Sequence, residues 1–227
     1  MGKPAIEKSE KETRSERNRR CILEAAEILL RDGSADFSMR DLASRAGVSF
    51  ATPFNQFGDK TGIFRALSAH RIAAMDSRFR EASAGKAAPE RVLLCMGIAT
   101  EVMLEEPDIN RAVMGAMGSP SDRAGEVAKN SRALWALAVG AGEGFEESQR
   151  ELARSLLPGQ LALAFRGALS FWTAGEIADC ELAGTVRRSA VGLLLGFLPP
   201  SDRAALVETH LVRDATDFFL ESEIKGR

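Results

Sequence analysis

At 227 residues, with a formal charge of −2 and a mean hydropathy of −0.11, the chain is long enough for one or two domains with ample cores, and too evenly charged to bind nucleic acid by bulk attraction. Three scattered cysteines, Cys21, Cys95 and Cys180, give neither a metal spacing nor a disulfide framework and read as reduced thiols of a cytoplasmic protein. No apolar run is long and uncharged enough to span a bilayer, and the polar N-terminus lacks the apolar core of a signal peptide.

Residues 1–14 read as a flexible arm. Arg14, Arg17, Arg19 and Arg20 offer a local positive charge, but Glu7, Glu10, Glu12 and Glu16 interleave with it, so a solvated arm reads equally from the pattern. Ile22, Ala25, Ala26, Leu29 and Leu30 repeat at helical spacing and predict a first helix over 15–32, ended by Gly33. Ser38 then reads as an N-cap, with Asp41 three residues on completing a shortened capping box and Phe37 set to pack on Leu42. Gly47 ends this second helix in the left-handed region, and small Ala43 lets another helix cross closely. Ser49 is expected to cap a third helix, with Val48 packing on Pro53 at the fourth helical position. Two short helices about a glycine turn form a helix-turn-helix.

In the third helix Phe50, Pro53, Phe54 and Phe57 fall on one apolar arc, and Ala51, Thr52, Asn55 and Gln56 on the other. Short amides and methyls suit base edges in a major groove: Asn and Gln pair with adenine, Ala and Thr methyls meet thymine. An ordinary amphipathic helix with a solvated face carries the same local pattern. Lys60 follows in the first turn of a fourth helix capped by Asp59, where the helix dipole disfavours a cation unless an anion such as a DNA phosphate is also bound.

The runs Ile22-Leu23-Glu24-Ala25-Ala26, Gly33, Phe37 to Ala43, Ala46-Gly47-Val48-Ser49 and Thr52 to Phe57, with Lys60 and Phe64, resemble the N-terminal domain of the tetracycline-repressor (TetR) family over roughly residues 17–67. Two departures stand out. The family usually has Tyr at Phe54, whose hydroxyl commonly reaches a phosphate, and this chain contains no Tyr; Pro53 stands where many members have Leu. The resemblance implies a DNA-contacting set of Ser38, Arg40, Ser49, Phe50, Ala51, Thr52, Phe54, Asn55, Gln56 and Lys60.

The fourth helix, Lys60 to about Glu81, carries Ile63, Phe64, Leu67, Ile72 and Met75 on its buried side and leads into the rest of the chain. A fifth opens at Ala88-Pro89 and stops at Glu105-Glu106-Pro107. A short sixth covers Asn110 to Met117, and Ser121 or Asp122 caps a seventh reaching Val139. Gly140 to Gly144 reads as a plain loop, since no strand precedes it and no Lys-Ser/Thr pair follows. Two strongly apolar helices follow, about Glu147 to Ile177, bent near Pro158-Gly159, and about Glu181 to Leu198. After Pro199-Pro200, Ser201 or Asp202 caps a last amphipathic helix through Leu206, Leu211, Phe218, Phe219 and Leu220.

The apolar pair exceeds what one core face uses, and small residues allow close approach. A homodimer through Gly167, Ala168, Phe171, Ala190, Leu193, Leu194 and Phe197 is therefore expected. Met96, Met103, Met114 and Met117, with Trp135, Phe165 and Trp172, read either as the lining of an apolar ligand pocket or as plain core. His70, His210 and the Glu105-Glu106 and Glu146-Glu147 pairs form no catalytic or metal spacing.

The chain thus reads as all-α: an arm over 1–14, a helix-turn-helix domain over 15–67 and a helical regulatory and dimerisation domain over 68–227. The resemblance implies a homodimeric, ligand-responsive transcriptional repressor on a palindromic double-stranded operator, with a small-molecule effector, no cofactor and no membrane. Two rivals remain: an all-α enzyme with an accessory helix-turn-helix, and a helix-turn-helix used for protein contacts.

Overall fold

The computed structural model describes residues 13–118 and 125–212; all regular structure among them is helical, with no strand. The expected arm up to residue 12, the caps at Ser121 and Asp122, the side chain of Leu211 and the segment with Phe218, Phe219 and Leu220 lie outside the described residues. The chain divides into two compact units between Ala66 and Leu67.

In the first unit, α1 (Arg14–Arg31) begins with a reciprocal cap: the Glu16 amide donates to Thr13 Oγ1 at 3.2 Å while the Thr13 amide donates to Glu16 Oε2 at 2.7 Å. α2 (Met39–Arg45) is capped as its sequence foretells: the Asp41 amide donates to Ser38 Oγ at 3.2 Å and the Ser38 amide to Asp41 Oδ2 at 2.9 Å. Its other end closes on Gly47 at φ +67°, with the Val48 amide on the Ala43 carbonyl at 3.0 Å and the Gly47 amide on Ser44 at 3.2 Å. This paired closure needs the left-handed residue that glycine supplies.

α3 (Ala51–Phe57) departs from expectation. Ser49 does not cap it. Phe50 is the helical N-cap with no side-chain bond, and the Ser49 hydroxyl sits 2.7 Å from the Thr52 hydroxyl, two side chains satisfying each other instead of a backbone amide. Pro53 consequently stands at the third helical position, where an N–H would lack an intrahelical partner anyway. The apolar arc is also narrower than expected. Pro53 and Phe57 are buried with Ile22, Leu42 and Ala43, whereas Phe50 and Phe54 are 52 % and 40 % exposed.

α4 (Lys60–Ala82) starts where Asp59 Oδ1 accepts the Gly62 amide at 2.6 Å. A Cβ on Gly62 would lie 1.9 Å from the Phe57 carbonyl oxygen, so only glycine lets the first turn of α4 approach the end of α3 this closely.

The second unit contains the rest of α4 and six further helices among the described residues: α5 (Ala88–Glu105), α6 (Pro107–Ala116), α7 (Glu126–Val139), α8 (Arg150–Thr173), α9 (Asp179–Leu194) and α10 (Pro200–Val207), the last running into a wider turn over Glu208–Val212. Pro107 opens α6 instead of merely interrupting the chain, because its ring presets the first helical position. α8 follows a 3-10 turn at Glu147–Gln149, continues through Pro158, and ends short of Ile177. The Glu176 amide there bonds the Phe171 carbonyl at 2.9 Å around Gly175 at φ +78°. α9 likewise stops at Leu194, not Leu198. Trp135 and Trp172 are fully buried in one core with Met96, Leu157, Leu161, Leu182 and Leu194.

One buried polar residue ties three helices of this unit. Asn110, 1 % exposed on α6, donates to the carbonyls of Val102 at 3.2 Å and Met103 at 2.8 Å near the end of α5, and accepts from Arg71 Nε of α4 at 2.9 Å. It thereby occupies carbonyls that the ending helix leaves without amide partners.

Candidate nucleic-acid interface and cavity

Residues 13–66 hold nine Lys and Arg against seven Asp and Glu, so a net positive unit sits inside a net negative chain. α1, α2 and α3 pack together, and Arg19 lies 4.5 Å over the ring of buried Phe57. On the outer side of α3, Ala51 and Asn55 are exposed, and the Asn55 side chain makes no hydrogen bond among the described residues. Thr52, half-buried, shares its hydroxyl with Ser49. Gln56 is drawn away: its amide donates to Ser15 Oγ on α1 at 3.0 Å. The surface thus presents a methyl, a hydroxyl pair and one free carboxamide, a set that matches the edges of A·T pairs.

Phe50 and Phe54 stand beside this face. Their rings meet edge-on at 5.3 Å, and the Arg40 guanidinium lies 5.6 Å from the Phe50 ring. Exposed aromatics next to an exposed cation need a partner surface to be useful. Ser38 faces solvent but is committed to capping α2, and its hydroxyl and amide hold the Asp41 carboxyl below the usual range. Lys60 does not extend freely. Its Nζ lies 4.5 Å over the Phe37 ring and 5.9 Å from Phe64, which fixes the ammonium at the N-terminus of α4. A cation seated at the N-terminus of a helix is a geometry that suits phosphate.

The second unit contains a cavity of about 270 Å³ walled by Ile72, Met75, Met103, Val113, Met114, Met117, Trp135, Phe165 and Leu169. Of the expected pocket residues, Met103, Met114, Met117, Trp135 and Phe165 come together on this wall. Met96 and Trp172 do not: both are buried elsewhere in the core, and Trp172 Nε1 donates to Asp179 Oδ1 at 2.7 Å. The sequence reading missed the polar members, Ser68, Arg71, Asn110, Ser131 and Arg166. Arg166 had a signal: it is the one charged residue between 155 and 175.

The expected dimer residues also sort apart. Ala168, Ala190 and Leu194 are buried within the unit's own core, because both helices pack there, while Leu193 and Phe197 are half-buried. Phe171 is 54 % exposed, and together with Leu152, Leu156 and Leu163 it forms an exposed apolar stripe along α8. Gly167 is half-buried, with open space where a Cβ would stand.

Among the described residues no group of three His, Cys, Asp or Glu side chains could hold a metal ion, and no described helix is long and apolar enough to cross a membrane. Burial pushes the Cys95 thiol up to about 12, so it stays protonated at neutral pH.

Residues 22–67 match the family model for bacterial regulatory proteins of the tetR family. A search of curated proteins finds no match. Among solved structures, a TetR transcriptional regulator from Rhodococcus sp. RHA1 superposes with a TM-score of 0.65 at 22% identity, over 80% of this chain and 98% of that one. A putative TetR-family transcriptional regulator from Mesorhizobium loti MAFF303099 superposes at 0.51 with 18% identity, over 83% and 100%. The TetR family repressor AlkX from Dietzia sp. strain DQ12-45-1b, implicated in biodegradation of n-alkanes, also superposes at 0.51 with 18% identity, over 77% and 94%. At these identities the likeness is one of fold.

Proposed function

We propose that this chain, whose residues 22–67 match the model of the tetR family of bacterial regulatory proteins, is a cytoplasmic, ligand-responsive repressor that binds a palindromic double-stranded operator as a homodimer. The observation that carries the reading is the outer face of α3, where Ala51, Thr52 and Asn55 stand clear of the unit's core beside a fixed Lys60. α3 enters the major groove, Asn55 reads an adenine, and the Ala51 and Thr52 methyls meet thymine. Arg40, Ser49 and Lys60 take phosphates and set the register.

Dimerisation supplies a second half-site. The exposed stripe Leu152, Leu156, Leu163 and Phe171 on α8 is the surface to be covered, with exposed Gly192 on α9 allowing close approach. Half-sites are then spaced by about 34–36 Å, one turn of DNA, or a multiple. The cavity of the second unit receives the effector, and the effector and DNA favour different conformations, as switching requires.

The test is to select genomic fragments with the purified protein, then titrate a recovered fragment and random DNA of equal length at several salt concentrations. A specific fragment should bind at least a thousandfold tighter, with log K falling linearly with log salt. Equal affinity for both DNAs removes the reading.

A further inference from the structure

The cavity wall is almost wholly apolar, yet a guanidinium is built into it. Arg166 lies on α8 between Phe165 and Gly167 and lines the cavity together with Met114, Trp135 and Leu169. It is half-buried, and its one hydrogen bond among the described residues runs from Nη1 to the thioether of Met114 at 3.2 Å, a weak acceptor. The other arginine of the wall, Arg71, is compensated by Asn110 Oδ1 at 2.9 Å and Glu106 Oε2 at 3.4 Å. No Asp or Glu lines the cavity among the described residues. Desolvation alone pulls Arg166 below its ordinary value, the signature of a cation held without a counter-charge. A second donor, Nε1 of the cavity-lining Trp135, is buried and finds no acceptor among the described residues.

A half-buried cation without an anionic partner is costly in an apolar wall, and a guanidinium is shaped to take a carboxylate with two parallel bonds. We infer that the cavity binds a small amphiphilic anion, a carboxylate carrying an apolar chain or ring, with its charged end on Arg166 and its apolar part among Met75, Met103, Met114 and Phe165. The class rests on the reading of this cavity as the effector site, and it deepens that reading. At about 30 Å³ for each water-sized atom group, a cavity of about 270 Å³ holds a molecule of roughly ten non-hydrogen atoms.

Octanoate, 1-octanol and octylamine have that size and differ at the head group alone. Isothermal titration of each into the full chain, without DNA, should give octanoate at least tenfold tighter than octanol and octylamine weakest. Arg166→Gln should bring octanoate down to octanol while leaving octanol where it was, and Arg166→Lys should retain a preference for the acid. The unchanged octanol value shows that the glutamine variant keeps its cavity; should that variant not fold, the wild-type order and the lysine variant decide. Octanol binding as tightly as octanoate, an unchanged acid preference in Arg166→Gln, or no binding by any of the three overturns the inference. The DNA titration is a separate measurement. Octanoate bound through Arg166 without effect on operator affinity upholds the ligand class and removes the effector role.

Discussion

At the residue scale the interface separates readers from holders. The Asn55 side chain is exposed and has no hydrogen bond among the described residues, so Asn55→Ala is expected to cost about 1–3 kcal/mol at the specific site and to relax base preference at one position, read by competition among single-base operator variants. Lys60 is a holder with two attachments. Lys60→Ala should weaken all DNA similarly, flattening the slope of log K against log salt by about one, and should also lower thermal stability by about 0.5–1 kcal/mol through loss of its seat over Phe37. An unaltered salt slope removes it from the phosphates. Phe54 is 40 % exposed, so Phe54→Tyr adds its hydroxyl without crowding the core. DNA affinity should rise by about 0.5–1.5 kcal/mol with stability unchanged. The cap of α2 has its own pH limit. Asp41 is depressed below 3.8 by Ser38, so the capping box is intact above that value and is lost only as pH falls through the lower folded-state value; helicity of α2 should be indifferent to pH across the neutral range.

At the scale of elements, what the sequence disclosed was whatever local chemistry decides. Ser38 with Asp41, and Gly47 after Ala46, fix both ends of α2 within a few residues, and both ends were legible. Ser49 looked equally good as a cap, but a threonine three residues on offered its hydroxyl a competing partner, which no propensity records. Phe50 and Phe54 share an arc with Phe57, yet the packing of α1 and α2 covers only part of that arc, so exposure depended on neighbours far along the chain. The same holds for α8 and α9, where apolar excess was plain but its division between core and surface was not. The exposed stripe on α8 makes the division testable. Leu156 is 45 % exposed, so Leu156→Glu should leave the helix content intact while light scattering shows monomers at micromolar concentration and operator affinity collapses. Gly192→Glu, on an exposed part of α9, should do the same. Dimers persisting in both variants would place the interface elsewhere.

At the scale of the whole molecule the proposed switch is a coupling between two binding free energies, and such coupling is reciprocal: whatever factor the effector takes from DNA affinity, DNA must take from effector affinity. Both can be measured. Asn110 is the residue whose removal should change the coupling most directly, because it joins Arg71 of the cavity wall to carbonyls of α5. Asn110→Ala leaves those buried carbonyls without its donors, and should lower the stability of the second unit by about 1–3 kcal/mol. It should also reduce the coupling factor, read as the change in operator affinity at saturating ligand. A variant with wild-type stability and coupling would show that the joint is incidental.

The contact at Gly62 also has a genetic face. Every amino acid other than glycine carries a Cβ, and at this position that atom meets the carbonyl oxygen of Phe57 at 1.9 Å, a backbone atom that cannot swing aside. Any missense change of codon 62 therefore separates α3 from the start of α4 and displaces Lys60 with it. In a library selected for loss of DNA binding, alleles at codon 62 should recur irrespective of the chemistry of the new residue, whereas alleles at codon 55 should depend on it.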